Sequence, residues 1–517
     1  MDKDLFLTLL MLLLGFCFHN GNSDGQNLCP DRCQCFTPDQ VLCADERMAY
    51  IPRNLSNQVK ELVVMTSAVG YLFADSLRES PQLTKLILMN NALRSIHLNS
   101  FENLTELQEL EISGNPWLDN LLPGTFSKQK HLTKLLLNFN GLRTALPGIF
   151  DSLKQLETLE MKSNMISGLP PFVFQNLSRL RVLDLSMNKL EEVTKGTFSG
   201  LEKLEILKIN YNLIRNVSSD TFQNIPELTE LHWEGNKIAR LDDAIFSELK
   251  KLRVLNLCNN LLTTFSDNVF GFETSNLKEL NLKGNRLTEL SSLSSLISLT
   301  DLILSSNKLS SLPENIFRNL TALDSLDLSE NQLSYLPKMI FKDLLGLTAI
   351  NLHKNSLRKV HENQFADQML VQKLYLSDNQ LENLPVGLLD TFFVQHVLRL
   401  HGNPWKCDCH MWYLHDWVLQ HGQSLEMPER MLCESPDFLR KRTVYSINRD
   451  ELVCQPSEEE KSDLSSCTLQ ASNDTMIIRC RVKNCSPMTV KVQFQEENGN
   501  IQQHVVKNVS EDSKCIN

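Results

Sequence analysis

Fourteen asparagines stand at nearly constant spacing through the middle of this chain, each closing a phrase of the form LxxLxLxxNxL. They are Asn91, Asn115, Asn140, Asn164, Asn188, Asn212, Asn236, Asn260, Asn285, Asn307, Asn331, Asn355, Asn379 and Asn403. The step is 24 residues, apart from two of 25 and one, Asn285 to Asn307, of 22. Ser67 takes the same place in a first, degenerate unit built on Val59, Leu62 and Val64, which makes fifteen units. This register constrains the fold more than any other feature, because such a unit buries its leucines only against its neighbours.

Each position has a physical reason. In "LETLEMKSNMI", Leu156, Leu159, Met161 and Ile166 point inward, while Thr158, Glu160 and Lys162 alternate outward along a short strand. The chain then turns, and the Asn164 side chain carries both donors and an acceptor for the backbone groups that the turn leaves unpaired. Repetition predicts an asparagine ladder. Ten residues beyond most asparagines stands a phenylalanine: Phe101, Phe150, Phe174, Phe198, Phe222, Phe246, Phe270, Phe317, Phe341 and Phe365. These are expected to stack as a spine along the outer side. The unit after Asn285, "RLTELSSLSSLISL", is short and lacks its phenylalanine, so a flattening or kink is expected there. The predicted architecture is an α/β solenoid with a concave parallel sheet. At about 4.8 Å per strand the sheet is on the order of 70 Å long, a surface suited to a protein rather than a metabolite.

The ends point outside the cell. Leu5 to Phe18 form an apolar run too short to span a membrane, followed by the small residues Gly21 and Ser23, and residues 1–23 are read as a signal peptide. No later run of 18 apolar residues offers a membrane anchor. The formal net charge of −11 argues against a nucleic-acid partner, which needs clustered Lys and Arg. Twelve of the cysteines fall into three groups of four: Cys29, Cys33, Cys35, Cys43; then Cys407, Cys409, Cys433, Cys454; then Cys467, Cys480, Cys485, Cys515. Apart from Cys17 in the leader, only Cys258 is left over. This usage fits an oxidising compartment. Eight sequons, at Asn54, Asn103, Asn176, Asn216, Asn319, Asn473, Asn484 and Asn508, are expected glycosylation sites. Asn103, Asn176 and Asn319 each stand two residues after a spine phenylalanine, so their glycans would decorate one outer flank and leave the concave face free.

A solenoid has two raw ends, each exposing apolar side chains and a sheet edge. "CPDRCQCFTPDQVLC" precedes the first repeat, and "NPWKCDCHMWYLHDW" begins inside the register of the last one. Four cysteines allow three connectivities, so spacing alone leaves the pairing open. Together these segments resemble the cysteine caps of extracellular leucine-rich-repeat proteins. The resemblance implies bonds from Cys29 to Cys35, Cys33 to Cys43, Cys407 to Cys433 and Cys409 to Cys454. The rear cap departs from the family pattern at "DFLRKR", where Arg440 replaces a customary glycine. The polar linker "QPSEEEKSDLSS" then leads to a tail with strand-like "TMIIRCRV", "MTVKVQF" and "QQHVV" and a turn at "ENGN". So short a module needs staples. The expected division is signal peptide 1–23, amino-terminal cap 24–57, repeats 58–404, carboxy-terminal cap 405–454, linker 455–466 and a disulfide-stapled β tail 467–517.

The caps "CPDRCQCF" and "HGNPWKCDCH" together with the tail "CTLQASNDTMIIRCRVKNC" are similar to those of the regulatory, non-catalytic subunits of plasma zinc metallocarboxypeptidases. That resemblance implies a secreted plasma glycoprotein that stabilises the catalytic subunit and keeps it in circulation. It also implies a heterotetramer of two catalytic and two regulatory subunits that trims carboxy-terminal Lys and Arg from kinins and anaphylatoxins. The chain carries no GxxxxGK[ST], HExxH or HxxE motif, and its one GxSxG string, "GNSDG" at residues 21–25, sits at the end of the expected signal peptide, so neither a catalytic residue nor a cofactor or metal is assigned. The rivals are a ligand-recognition ectodomain and a serum inhibitor of a secreted hydrolase.

Candidate partner contacts lie on the concave face. Outward positions carry Glu109, Glu111, Glu160, Asp184, Glu230 and Glu234, interrupted by Lys134, Lys162 and Lys208. Glu230 and Glu234 are candidate contacts for a basic partner, weighed against a merely solvated sheet face. Cys258, in "LRVLNLCNN", is a candidate intermolecular thiol or an inert one. Trp233 replaces a core leucine and is read as packing. "HGNPWKCDCHMWYLHDW" resembles a metal site at first sight. With Cys407 and Cys409 in disulfides it becomes a plug, with His410 and His415 as polar residues on a short helix sealed by Tyr413, Leu414, Trp417 and Val418.

Overall fold

The computed structural model describes residues 29–53 and 55–454, and four strands of the tail. Residues 1–28, Asn54, Asn473, Asn484, Asn508 and the tail cysteines lie outside the described residues, and with them the signal peptide and those four sequons.

Fifteen parallel strands, from Glu61–Met65 to Val397–Arg399, line the concave face, one per repeat. The register never slips: Leu183 lies opposite both Leu159 and Leu207, and Leu280 opposite Leu255 and Leu302. The period-two alternation is explicit, since the middle residue of the short strands is buried between neighbours that are mostly half exposed, as in Thr158–Glu160. In front, Gln40–Cys43 adds a further parallel strand beside Glu61–Met65, and Cys33–Thr37 pairs antiparallel to it, closing the raw edge. Away from the concave sheet the repeats are built mainly of turns, with a short strand pair at Tyr71–Leu72 and Ser95–Ile96 near the front. The one α-helix among the described residues, Trp412–Gln420, belongs to the rear cap.

The asparagine ladder forms as the repeat dictates. Asn188 donates from Nδ2 to the Met161 carbonyl of the preceding turn at 2.8 Å and to the Leu185 carbonyl of its own at 3.0 Å. Its Oδ1 accepts the Ile166 N–H at 3.1 Å. Asn212 repeats this with Leu185, Ile209 and Leu190. At the front, the Ser67 hydroxyl and N–H both donate to Asn91 Oδ1, so serine starts the ladder.

One regularity goes beyond the sequence reading. The residue just before each ladder position is left-handed in every unit: Thr66, Asn90, Gly114, Phe139, Ser163, Met187, Tyr211, Gly235, Asn259, Gly284, Ser306, Glu330, Lys354, Asp378 and Gly402, with φ from 51° to 72°. This conformation swings the chain out of the strand and forms a rim along the carboxyl ends of the strands. Its N–H reaches the next turn, as from Tyr211 to the Glu234 carbonyl at 2.7 Å.

The phenylalanine spine is present, buried beneath the outer turns rather than displayed on them, with centroid spacings such as 6.0 Å for Phe198–Phe222 and 5.8 Å for Phe222–Phe246. It has two members that a fixed ten-residue offset overlooks. Phe126 stacks on Phe101 at 6.1 Å because its unit is one residue longer, and Phe392 packs on Phe365 at 6.2 Å. Trp233 is fully buried and meets Phe222 edge-on. In the short unit, Leu293 and Leu296 fill the spine position. A small outer pair of strands, Thr264–Ser266 and Glu289–Ser292, forms there, and buried Asp267 accepts the Ser295 N–H at 2.7 Å. The irregularity is absorbed on the outer side, while the concave register passes through it.

At the rear, the spine runs into the cap through Phe392, His396, Trp417 and His421. Leu414, Trp417 and Val418 of the helix are buried. Tyr413 is only partly buried: its hydroxyl accepts the Leu389 N–H and donates to Asp390. Of the two histidines expected on that helix, His410 lies in the preceding 3-10 turn, Cys409–Met411. His415 is buried, its Nε2 2.8 Å from the Ile447 carbonyl. At "DFLRKR" the left-handed residue is Lys441, with φ 65°, and Arg440 stays extended. The tail forms two antiparallel hairpins, Thr468–Ser472 with Thr475–Arg479 and Val490–Gln495 with Ile501–Val506. The first of these strands is absent from the sequence reading.

Candidate interaction surface

Two clusters of reactive side chains bear on whether the chain has chemistry of its own. Donor atoms of Asp408, Cys409, His410 and Cys454 lie within 4.8 Å of one another, a grouping that resembles a metal site. The two sulfurs are bonded to each other, however, which removes them as thiolate ligands. Burial alone would push the Asp408 carboxyl up, but hydrogen bonds from the His410 N–H and ring and from Lys406 outweigh it and hold it below the ordinary carboxylate value. The group is a knot of the cap. The other cap bonds join Cys29 to Cys35, Cys33 to Cys43 and Cys407 to Cys433, with Cα–Cα distances of 5.9, 4.1 and 5.7 Å.

The second cluster unites Ser377, His353 and Asp378. The Ser377 hydroxyl lies 2.8 Å from His353 Nδ1, and Asp378 Oδ2 lies 3.4 Å from the same nitrogen. A catalytic relay needs the acid and the nucleophile on opposite ring nitrogens. Here both meet one nitrogen, and Ser377 is fully buried. The arrangement stitches neighbouring turns together and offers no nucleophile to a substrate.

The concave face is the remaining candidate. Glu230–His232 is the strand of the eighth unit, and Glu230 Oε2 lies 3.3 Å from His232 Nε2. Glu234 follows in the same outward row and is half-buried. Burial, with Asp184 adding to it, raises its carboxyl above the ordinary value against the opposing pull of its own N–H, His232 and Lys208. Glu234 Oε2 and Asn210 Oδ1, at the same row on adjacent strands, are shielded acceptors with no donor among the described residues. Cys258 continues that row. It is free and half-buried, and burial followed by Glu234 pushes its thiol up, which favours the unreactive form. The fold therefore brings the three candidate contacts, Glu230, Glu234 and Cys258, onto neighbouring turns. Further toward the front, Glu111 is also raised, chiefly by burial, with Glu160 adding to the effect.

The sequons lie elsewhere. Asn103 and Asn319 are exposed and Asn176 is half-buried against Asp151 at 3.0 Å, each following a buried spine phenylalanine on the outer flank. Asn216 is exposed and bridges to Glu192. No helix among the described residues is long and apolar enough to cross a membrane.

Comparison with known proteins places this geometry. The Leucine rich repeat family matches residues 81–142, 130–190, 178–238, 226–287, 297–341 and 322–381. The chain belongs to the leucine-rich-repeat family. Within it, the chain is similar to Carboxypeptidase N subunit 2 of Homo sapiens, 31% identical over 130 residues that make up 21% of this chain and 24% of that one. It is also similar to the Platelet glycoprotein Ib beta chain of Rattus norvegicus, 37% identical over 86 residues, 16% of this chain and 41% of that one. These matches span less than half of each relative. Among solved structures, a leucine-rich-repeat protein of Leptospira interrogans superposes with a TM-score of 0.64 at 27% identity, covering 74% of this chain and 94% of that one. The structure of the Toll–Spatzle complex, with a TM-score of 0.58 at 20% identity over 89% of this chain and 81% of that one, shares the fold.

Proposed function

We propose that this chain is a secreted, non-catalytic subunit that binds and stabilises a plasma zinc metallocarboxypeptidase of the carboxypeptidase N type. The observation that carries this reading is the similarity to Carboxypeptidase N subunit 2, found for the proteins of both Homo sapiens and Mus musculus. The physical setting supports it. A long, rigid sheet with half-exposed side chains is built to meet a protein surface, and the two clusters nearest to catalytic chemistry are structural. The reaction, removal of carboxy-terminal Lys and Arg from kinins and anaphylatoxins, belongs to the partner. The repeat protein lengthens the partner's life in circulation through its bulk and its glycans. The assembly is a heterotetramer of two catalytic and two regulatory subunits.

The test is to pull the protein from plasma and measure cleavage of a peptide ending in Arg. Carboxypeptidase activity should accompany it, at a mass fitting the tetramer. A preparation free of such activity overturns the reading and favours a recognition ectodomain, the alternative that the platelet glycoprotein match supports.

A further inference from the structure

The left-handed rim is occupied in two different ways. Left-handed backbone costs a residue with a Cβ roughly 1–2 kcal/mol, and Gly, Asn and Asp tolerate it best. Gly, Asn, Asp, Ser and Thr fill ten of the fifteen rim positions. Two of the other five explain themselves. Glu330 and Lys354 pair with each other at 3.3 Å, and Glu330 also accepts the Ser306 hydroxyl at 2.7 Å. The remaining three are bulky, apolar and close together: Phe139, Met187 and Tyr211, with φ of 57°, 56° and 55°. They are 55%, 48% and 51% exposed, so packing offsets little of their strain. Their neighbours accommodate them without covering them. Ser163 Oγ lies 3.3 Å from Met187 Sδ, and Lys162 Nζ stands 6.0 Å from the Phe139 ring. The Tyr211 ring lies across the next rim position so closely that a Cβ on Gly235 would come within 2.4 Å of it. Strain held at an exposed apolar side chain points to a function outside the fold.

The adjoining concave face says what kind of surface meets this rim. In the third to eighth units its outward positions carry six carboxylates, Glu109, Glu111, Glu160, Asp184, Glu230 and Glu234, against Lys134, Lys162 and Lys208. Within that row, Glu234 Oε2 and Asn210 Oδ1 are shielded acceptors without a donor among the described residues. We infer that Phe139, Met187 and Tyr211 form an apolar docking edge for the metallocarboxypeptidase subunit. The surface of that subunit seated here has an apolar centre flanked by Lys or Arg that reach Glu230 and Glu234. This rests on the functional reading above and adds the docking edge and the polarity of the partner.

The test uses the full chain carrying Phe139→Asn, Met187→Asn and Tyr211→Asn together. Asparagine tolerates the left-handed conformation, so the melting temperature should stay the same or rise. Affinity for the catalytic subunit purified from the same plasma should fall at least about tenfold, as for loss of an aromatic anchor. Glu230→Lys with Glu234→Lys should also weaken binding, and the weakening should shrink at high salt. Equal binding by wild type and the triple asparagine variant overturns the docking edge alone. Wild-type chain that captures no carboxypeptidase overturns the functional reading, and this edge's partner with it.

Discussion

The ladder and the spine run the same length of the solenoid, yet they tolerate variation very differently. From Asn91 to Asn403 the ladder admits no substitute, and only at its first rung does Ser67 stand in. The spine accepts Phe126 one residue late, Phe392 later still, and leucines in the short unit. The difference follows from what each does. A ladder asparagine donates twice and accepts once inside the stack, and no other side chain of its size offers an acceptor and an NH₂ together. A spine residue fills volume, and volume can be supplied by several side chains. Polar satisfaction fixes identity, whereas packing fixes only size and place.

The largest expected effect tests the ladder. Asn212→Leu leaves the Leu190 N–H without a partner and cuts the Leu185 and Ile209 carbonyls back to the single donors Asn188 and Asn236. At about 1–3 kcal/mol for the unpaired N–H and about 1 kcal/mol for each of the two lost carbonyl bonds, the loss is about 3–5 kcal/mol in urea unfolding. Where the ladder stops, covalent bonds take over. Replacing both Cys407 and Cys433 by Ser opens a loop with a sequence separation of 26 and should cost about 3 kcal/mol, seen as early exchange of the Trp412–Gln420 helix amides. Phe222→Leu in the spine should cost only about 1 kcal/mol by the same urea assay. If it proved as damaging as Asn212→Leu, the contrast between the two rows would fail. On the rim, Met187→Asn should stabilise by about 1 kcal/mol by relieving left-handed strain.

The smallest effect is electrostatic. Burial raises the Glu234 carboxyl, so the folded chain holds that proton more tightly than the unfolded one. Its stabilising contribution is complete below the ordinary value and is lost as pH rises through the folded one. Glu234→Gln should therefore melt slightly higher than wild type at pH 7, and the advantage should vanish near pH 4, about the ordinary glutamate value. A difference that persists at low pH would mean that packing, not charge, sets it.

The repeat made the strands, the ladder and most of the spine legible, because each depends on residue type at a fixed spacing. Phe126 and Phe392 escaped a fixed offset, since the outer turns vary in length and the stack selects whichever ring reaches it. His415 looked like a polar helix residue, and only the fold of the cap buries it and sets its Nε2 against the Ile447 carbonyl. Glu234 and Cys258 were legible as outward-facing, but the effect of Glu234 on the Cys258 thiol arises across neighbouring turns.

What the sequence determined alone is the one-dimensional part: a period near 24, an apolar residue, most often leucine, at each inward position and an asparagine at the end of every strand after the first. These are set by local alternation and by the needs of the backbone, which repeat identically in each unit. The tertiary structure decided what depends on adjacent turns meeting. It paired the cap cysteines and set a left-handed rim before every rung. It also left Phe139, Met187 and Tyr211 in the open beside an acidic sheet. The exposed rim and its acidic neighbour follow from residues about 24 apart in the chain meeting about one strand spacing apart, and the rear-cap bonds from cysteines 26 and 45 apart, which only folding brings together.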